Sequence, residues 1–134
     1  MATLRDETFS IRSSDDIVKV RQITRELALM QAFSLVDQTK LVTAASELAR
    51  NTLEHGRGGD VRIQALQEGA RRGVRLVFTD QGPGIADLDR ALRDGFTTGN
   101  GMGLGLSGSK RLVNDFDIQS ECGKGTMVTI ARWT

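Results

Sequence analysis

Apolar residues recur along the first third of the chain with two different periods. Phe9 and Ile11 alternate with polar neighbours, so residues 7–13 are predicted to form a half-buried strand. The next apolar residues recur at helical spacing, and they are Ile17, Val20, Ile23, Leu27 and Met30. A second amphipathic helix is predicted for residues 38–54, with Asp37 as its N-cap.

The rest of the chain is predicted to alternate between strands, glycine-rich turns and short helices. In chain order, the predicted elements are strands at 61–65 and 74–78 with a turn at 69–73 between them, helices at 85–93 and 104–116, and strands at 118–121 and 127–133. A polar, glycine-rich loop separates the two helices. This order favours an α+β fold, in which helices lie on one face of a mixed, mostly antiparallel sheet.

Length and composition limit the class of protein. The 134 residues fit one domain, 1–134, that can bury a core. A net charge of +1 provides no overall field to attract nucleic acid or an anionic membrane. Cys122 is the one cysteine, which excludes an internal disulfide, and no apolar run approaches the roughly 18–20 residues of a membrane span. We expect a cytoplasmic domain whose partners are neither nucleic acid nor membrane, since the first residues contain no apolar signal core.

Two polar side chains lie one helical turn apart near the end of the second predicted helix. Glu47 and Asn51 can face a common cleft, because residues four apart share a helix face. The amide oxygen of Asn51 suits Mg²⁺, and a carboxylate at Glu47 could accept a proton from a nucleophile aligned with a γ-phosphate. A solvated polar helix face is the alternative. For His55 we favour a role at the helix C-terminus over catalysis.

A carboxylate followed by glycines ends the second predicted strand of the hairpin. Asp80 comes directly after the apolar run, and a buried carboxylate there requires a hydrogen-bond partner such as the exocyclic amine of adenine. Gly82 and Gly84 would let the backbone approach a flat ring, and Pro83 would stiffen the turn. An ordinary surface turn is the alternative for this pattern alone.

A block of alternating glycines precedes the helix predicted at 104–116. Gly101, Gly103 and Gly105 can direct backbone N–H groups at phosphates, followed by a helix N-terminus. The stretch from Gly103 to Gly108 also matches the dinucleotide-binding pattern, but that fingerprint must directly follow a strand and here it follows a loop. No Walker A pattern is present. Lys110 could reach a γ-phosphate, or it could lie on a solvated helix flank.

The order and spacing of these motifs are more specific than any one of them. From about residue 38 onward, Glu-x-x-x-Asn, Asp-x-Gly-x-Gly, Gly-x-Gly-x-Gly and a final Gly-x-Gly-Thr resemble the GHKL ATPase/kinase superfamily. Within it the chain is most similar to the anti-sigma-factor serine/threonine kinases, and among these to the stressosome switch kinases of the RsbT type. The stretches similar to that subfamily are 46–51, 80–85, 94–96, 110–112 and 131–133.

The resemblance implies a two-layer α/β sandwich of the GHKL (Bergerat) type that binds ATP and Mg²⁺. It implies Glu47 as the catalytic base, Asn51 as the Mg²⁺ ligand and Asp80 as the residue that binds the adenine amine. The other implied nucleotide-binding residues are Gly82 and Gly84 beside the ring, Gly101, Gly103 and Gly105 in a phosphate lid, their neighbours Ile85, Met102 and Leu104, and Thr126 in the adenine pocket.

The resemblance also implies partners. Kinases of this family phosphorylate a serine or threonine of a small STAS-domain antagonist, and in the stressosome branch the released kinase then binds and activates a PP2C-type phosphatase. A sigma factor is the alternative downstream partner, and the sequence leaves the two open. One position departs from the family, because related anti-sigma kinases often have an arginine where this chain has Gly99. A cation at the γ-phosphate would then come from elsewhere, with Lys110 as the first candidate. This departure weakens the direct anti-sigma interpretation and leaves the phosphatase-switch interpretation intact.

Three competing functions remain at this point. A nucleotide-gated binding switch with little catalysis is the main one, although pure sensing needs no base at Glu47. The ATP-binding module of a histidine kinase is the second, disfavoured because the sequence shows no further helical pair with a phosphoacceptor histidine. A gyrase- or MutL-like ATPase is the third, disfavoured because it would need a longer chain. We therefore predict an ATP·Mg²⁺-dependent serine/threonine protein kinase that acts by partner switching in bacterial stress or sigma-factor regulation.

Overall fold

A computed structural model describes residues 1–93 and 105–134 of the chain. Its elements are β1 (Ala2–Ile11), α1 (Ser14–Met30), α2 (Leu35–Glu54), β2 (Gly59–Glu68), β3 (Arg71–Asp80), α3 (Leu88–Ala91), α4 (Leu106–Arg111), β4 (Asp115–Glu121) and β5 (Gly125–Trp133). Within these residues the strands form one five-stranded sheet in the order β1-β2-β3-β5-β4. The predicted α+β fold is confirmed, and every described pairing is antiparallel where a mixed sheet was expected.

The core lies between the sheet and the helices α1 and α2, which pack on one of its faces. Alternate residues of β2, β3 and β5 form the sheet side of the core, and these are Val61, Ile63, Ala65, Val74, Leu76, Phe78, Val128 and Ile130. The helices contribute Val20, Leu27, Leu41, Ala44, Ala45 and Leu48, all essentially inaccessible to solvent. This packing holds the C-terminal end of α2 next to the C-terminal end of β3, where the predicted site residues are concentrated. No helix of residues 1–93 and 105–134 is long and apolar enough to cross a bilayer.

The start of α2 differs from the sequence prediction by a few residues. Ser34 is the N-cap, since its hydroxyl accepts a hydrogen bond from the Asp37 N–H at 3.1 Å. Asp37 instead lies in the first turn, where its carboxylate accepts a 2.6 Å hydrogen bond from Arg132 of β5. The guanidinium of Arg132 lowers the pKa of Asp37 mainly through this hydrogen bond. Because Ser34 caps the helix, the Asp37 carboxylate is available to tie the start of α2 to β5.

Two other predicted bounds are wrong because strand pairing overrides local pattern. The first strand covers Ala2–Ile11 and not 7–13, as it pairs along almost the full length of β2. The helix predicted at 104–116 ends at Arg111, and Phe116 belongs to β4, opposite Ile130 of β5. In β4 these residues pair with β5, and the strand places Phe116 and Ile118 against the core. The predicted loop at 94–103 lies outside the described residues.

Polar side chains cover much of the other face of the sheet. Arg62 donates two hydrogen bonds to Asp6, at 2.9 and 2.6 Å, across the β1–β2 pair. Arg75 donates twice to the side-chain oxygen of Gln64, whose amide in turn contacts Asp6 at 3.3 Å. At one end, Trp133 donates from its indole nitrogen to Asp115 at 2.9 Å. Among the described residues, these cross-strand pairs cover this face of the sheet, and no helix packs on it.

We predict that Gly73→Ala destabilises the protein, because a Cβ at this position would lie 2.5 Å from the ring of Trp133. Overpacking of this kind costs about 1–3 kcal/mol in the free energy of unfolding. Gly108→Ala is the matched control, since nothing lies within 4 Å of its Cβ, and in a helix it should stabilise by about 0.5–1 kcal/mol. Urea unfolding followed by Trp133 fluorescence measures both changes, and equal stability of the two variants would contradict the packing described here.

Candidate functional site

A cleft opens where the end of α2, the end of β3 and the short helix α4 meet. Its lining combines apolar walls with a few polar side chains, and consists of Leu48, Asn51, Thr52, His55, Phe78, Asp80, Ile85, Leu106, Ile118, Thr126 and Val128. Four residues predicted from sequence, Asn51, Asp80, Ile85 and Thr126, therefore line one cleft. Its interior is narrow, ≈20 Å³, which is room for about one water.

Asp80 is the charged group most withdrawn from water in this cleft, with 8% of its surface exposed. One carboxylate oxygen accepts the Gly82 N–H at 2.9 Å. Burial raises the pKa of Asp80, and this is partly offset by the Gly82 hydrogen bond, the nearby His55 and the Thr126 backbone. No cation forms an ion pair with it in the part of the chain that the structure describes. A poorly solvated carboxylate favours a ligand that brings its own N–H donor.

Close backbone packing clamps the turn that carries Asp80. A Cβ on Gly56 would collide with the Asp80 carboxylate, and a Cβ on Gly82 would lie 2.7 Å from the Gly56 Cα. Gly84 has a φ of +73°, and a side chain there would collide with the carbonyl of Glu121. Glycine is thus needed at 82 and 84 by the protein's own packing. The predicted approach of these two residues to an adenine ring stays a prediction.

His55 connects the two segments that form the polar end of the cleft. It is the C-cap of α2, and its Nε2 lies 3.1 Å from the Gly84 carbonyl oxygen. Because a carbonyl can only accept, Nε2 carries the hydrogen and donates it. The preference for a helix-end position is consistent with this cap, but the sequence analysis missed the link to the glycine turn. Its spacing of four from Asn51, which places both on one helix face, was the signal available.

Glu47 lies one turn before Asn51 and faces a different environment. Its side chain is 40% exposed, and Oε1 accepts a hydrogen bond from Arg50 at 3.1 Å. The other oxygen, Oε2, lies 2.9 Å from where a Cβ of Gly105 would be. Gly105 has a φ of +65° and is the N-cap of α4. Glu47 is therefore a solvated carboxylate beside the glycine that starts α4, outside the apolar part of the cleft.

The remaining predicted residues fall into three groups. Thr126 and Ile85 are joined through Ser120, whose hydroxyl lies 2.8 Å from the Thr126 hydroxyl and accepts the Ile85 N–H at 2.8 Å. Lys110 is exposed in the last turn of α4 and does not line the cleft. The predicted lid residues Gly101, Met102, Gly103 and Leu104 lie outside the described residues. Four of the predicted residues therefore line one cleft, and the nucleotide-binding role of all of them stays a prediction.

Comparison with known proteins gives close relatives over most of the chain. A family model described as "Histidine kinase-, DNA gyrase B-, and HSP90-like ATPase" matches residues 36–133. The chain is 40% identical over 118 residues to the serine/threonine-protein kinase RsbT of Bacillus subtilis, spanning 88% of this chain and 89% of that protein. It is 29% identical over 132 residues to the anti-sigma F factor of Geobacillus thermodenitrificans, spanning 92% and 88% of the two chains.

Solved structures resemble the fold at lower identity. A structure of the RsbU and RsbW domains of Rv1364c from Mycobacterium tuberculosis superposes with a TM-score of 0.62 at 22% identity, covering 94% of this chain and 32% of that one. The catalytic domain of the histidine kinase ThkA superposes with a TM-score of 0.53 at 16% identity, covering 94% and 95%. These similarities support the fold and carry no argument about substrates.

We predict that Asp80→Asn weakens ATP binding while it stabilises the empty protein. Loss of a hydrogen bond to a charged acceptor costs about 1.5–3 kcal/mol, roughly a tenfold to hundredfold rise in Kd. The amide can still accept the Gly82 N–H but carries no charge to desolvate, so the free energy of unfolding should rise near neutral pH. Calorimetric titration with ATP and urea unfolding measure the two effects.

The pH dependence of this difference follows from the raised pKa of Asp80. The folded protein binds a proton at Asp80 more readily than the unfolded chain does. The free energy of unfolding of the wild type therefore increases as pH falls through the raised pKa. The stability advantage of Asp80→Asn should therefore shrink on acidification. An advantage that grew at lower pH, or unchanged ATP affinity, would contradict this role of Asp80.

Proposed function

Since the chain belongs to the histidine kinase-, DNA gyrase B- and HSP90-like ATPase family and is a serine/threonine protein kinase, we propose that it phosphorylates a STAS-domain antagonist with ATP·Mg²⁺. The observation that carries this proposal is the arrangement around the end of α2. A buried carboxylate, Asp80, and an amide, Asn51, line a cleft, and a solvated carboxylate, Glu47, lies one helical turn away. A nucleotide base, its phosphates and a protein hydroxyl require these three environments in that order.

The buried end of the cleft suits the adenine of ATP. Phe78, Ile118 and Val128 provide apolar walls, and Asp80 provides one fixed acceptor for the exocyclic amine. Guanine would present a carbonyl oxygen to the same carboxylate, and two acceptors repel. We therefore expect a strong preference for ATP over GTP, and a movement of the cleft wall when the base enters.

Asn51 is the residue that fits Mg²⁺ in this arrangement. No group of three or more His, Cys, Asp or Glu suited to a metal occurs in residues 1–93 and 105–134. One amide oxygen together with phosphate oxygens and water is a normal donor set for Mg²⁺, so these residues fit the ion. When bound, the ion would neutralise the negative charge of the phosphates. Asn51 would orient the ATP phosphates toward the mouth of the cleft.

The chemical step that we propose is a single displacement at the γ-phosphorus. The hydroxyl oxygen of the acceptor serine or threonine forms a bond to the γ-phosphorus, while the bond to the bridging oxygen breaks and ADP leaves with its electron pair. The hydroxyl proton passes to the carboxylate of Glu47. Lys110 and the lid at Gly101, Gly103 and Gly105 keep their predicted roles at the phosphates.

The relatives support partner switching in sigma-factor regulation as the setting of this activity. One relative is a serine/threonine kinase and another is an anti-sigma factor, and each aligns along most of the chain. We propose that the antagonist is a small STAS-domain protein and that the released kinase activates a PP2C-type phosphatase. We further propose a cytoplasmic location, as expected for such partners.

Glu47→Gln should keep ATP binding and lose phosphoryl transfer, because the amide has the same shape but cannot take the proton. The transfer rate from labelled ATP to purified STAS-domain proteins of the source organism should fall by about a hundredfold or more. ATP affinity should stay within about twofold, since Glu47 does not line the base end of the cleft. If this variant transferred phosphate at the wild-type rate, the result would favour the alternative function, a nucleotide-gated binding switch with little catalysis.

Asn51→Ala should instead remove the effect of Mg²⁺ on ATP affinity. In the wild type we expect tighter ATP binding with Mg²⁺ than with chelator, and in the variant the two affinities should converge. Thr43→Ala, an exposed change two turns earlier on α2, is the matched control and should keep the Mg²⁺ effect. If Asn51→Ala kept it as well, the ion would be held by other residues.

A further inference from the structure

Three polar side chains lie in one row across the ends of β3, β5 and β4. The strand register pairs Asp80 with Thr126, and Thr126 with Ser120. Residues two positions away on each strand line the apolar part of the cleft, so all three side chains project from the helix-facing side of the sheet. Asp80 and Thr126 are themselves part of the lining, and Ser120 lies on the far side of Thr126 from Asp80. Any influence of Ser120 on a ligand in the cleft must therefore pass through its neighbours.

Two backbone groups fix the direction of the Ser120 hydroxyl. The Ile85 N–H donates to Ser120 Oγ at 2.8 Å, and Ser120 Oγ lies 3.0 Å from the carbonyl oxygen of Gly125. A carbonyl oxygen can only accept, so the single hydroxyl hydrogen of Ser120 is directed at Gly125. The oxygen of Ser120 then has one lone pair left for a further donor, since Ile85 uses the other.

The third contact of Ser120 sets the direction of the Thr126 hydroxyl. The two hydroxyl oxygens lie 2.8 Å apart, which is the distance of an O–H···O hydrogen bond. Because the hydrogen of Ser120 is used at Gly125, Thr126 provides the hydrogen for this bond. Thr126 Oγ1 then presents lone pairs and no hydrogen to the cleft, beside the carboxylate of Asp80.

We propose that Ser120 is a positioning residue for purine selection, which fixes the Thr126 hydroxyl as a second hydrogen-bond acceptor beside Asp80. This proposal rests on the proposed ATP-dependent function and names a residue, remote from the ligand, that sets the choice of base. The same hydroxyl holds the backbone of Ile85, another residue of the cleft lining. One side chain behind the cleft therefore orders two residues that face it.

Two adjacent acceptors select the group at position 6 of a purine. The exocyclic amine of adenine has two hydrogens, one for Asp80 and one for Thr126. Hypoxanthine, the base of inosine triphosphate, has a carbonyl oxygen at that position, which both acceptors would repel. Without Ser120 the Thr126 hydroxyl can rotate and donate to this carbonyl. Loss of the Ser120 hydroxyl thus changes which base is favoured, where simple damage to the cleft would weaken the binding of both.

The first test compares the Kd of ATP and of inosine triphosphate for the full chain by calorimetric titration. Ser120→Ala should raise the Kd of ATP and lower the Kd of inosine triphosphate, each by about three- to tenfold, the range of one neutral hydrogen bond. Parallel weakening of both nucleotides, or an unchanged ratio of the two constants, would overturn the proposal.

Conservative variants keep this test decisive if removal of the hydroxyl perturbs the fold. Ser120→Thr retains a hydroxyl and should keep the wild-type ratio of the two constants within about twofold. Ser120→Cys keeps the side-chain size but hydrogen-bonds weakly, so it should shift the ratio in the same direction as Ser120→Ala by a smaller amount. Ser10→Ala, at an exposed position of β1, is the matched control and should change neither constant. A Ser120→Thr variant that behaved like Ser120→Ala would contradict the role of the hydroxyl.

The second test determines whether Ser120 acts through Thr126. Thr126→Val has nearly the same shape but no hydroxyl, so Ser120→Ala should leave the ratio of the two constants unchanged in that background. A double-mutant cycle should then give a coupling as large as the whole effect of Ser120→Ala on the ratio. Additive effects of the two substitutions would show that Ser120 acts by another route, and the proposal would be wrong.

The two tests separate failure of this role from failure of the kinase function. If the wild type prefers ATP and transfers phosphate while Ser120→Ala leaves the ratio unchanged, the role of Ser120 is wrong and the kinase function stands. If the ratio changes as expected but no STAS-domain protein is phosphorylated, the role of Ser120 stands and the proposed kinase substrate is wrong. If the wild type binds both nucleotides equally, the role of Ser120 fails, and transfer from labelled ATP decides the kinase function independently.

Discussion

The burial of one carboxylate, that of Asp80, is the constraint on which the rest of the site depends. A carboxylate withdrawn from water is tolerated only where hydrogen-bond donors are fixed around it. Here the Gly82 N–H provides one donor, and the absence of side chains at Gly56 and Gly82 lets two turns close around the group. The core packing that holds the end of α2 against the end of β3 therefore also encloses Asp80.

His55 extends this closure to the neighbouring turn. Its hydrogen bond to the Gly84 carbonyl spans the gap between α2 and the glycine turn, and its proximity also lowers the pKa that burial raises at Asp80. The empty site thus retains part of an unfavourable desolvation energy. A ligand that donates a hydrogen bond to Asp80 would offset this desolvation energy. This is a physical reason why the base of a nucleotide would contribute much of the binding energy.

Two carboxylates near α2, Asp80 at the end of β3 and Glu47 on the helix itself, lie in environments that suit two kinds of partner. Asp80 meets the apolar side of the cleft at the end of α2, while Glu47, two turns earlier than His55, stays in contact with water and Arg50. A small ligand and a protein substrate can therefore approach from different directions without competing.

The sequence alone determined the fold class and the residues that meet at the base of the cleft. Apolar periodicity indicates which faces of the helices and strands are buried. Asn51, Asp80 and Thr126 lie on elements that this burial brings together. It did not determine that Phe116 pairs in a strand, that Ser34 caps α2, or that His55 bonds to Gly84. Each of these depends on a partner distant in the chain, and local pattern contains no information on which distant atom will be within hydrogen-bond distance. The direction of the Thr126 hydroxyl likewise follows only from the strand register that sets Ser120 beside it, so tertiary structure alone decided it.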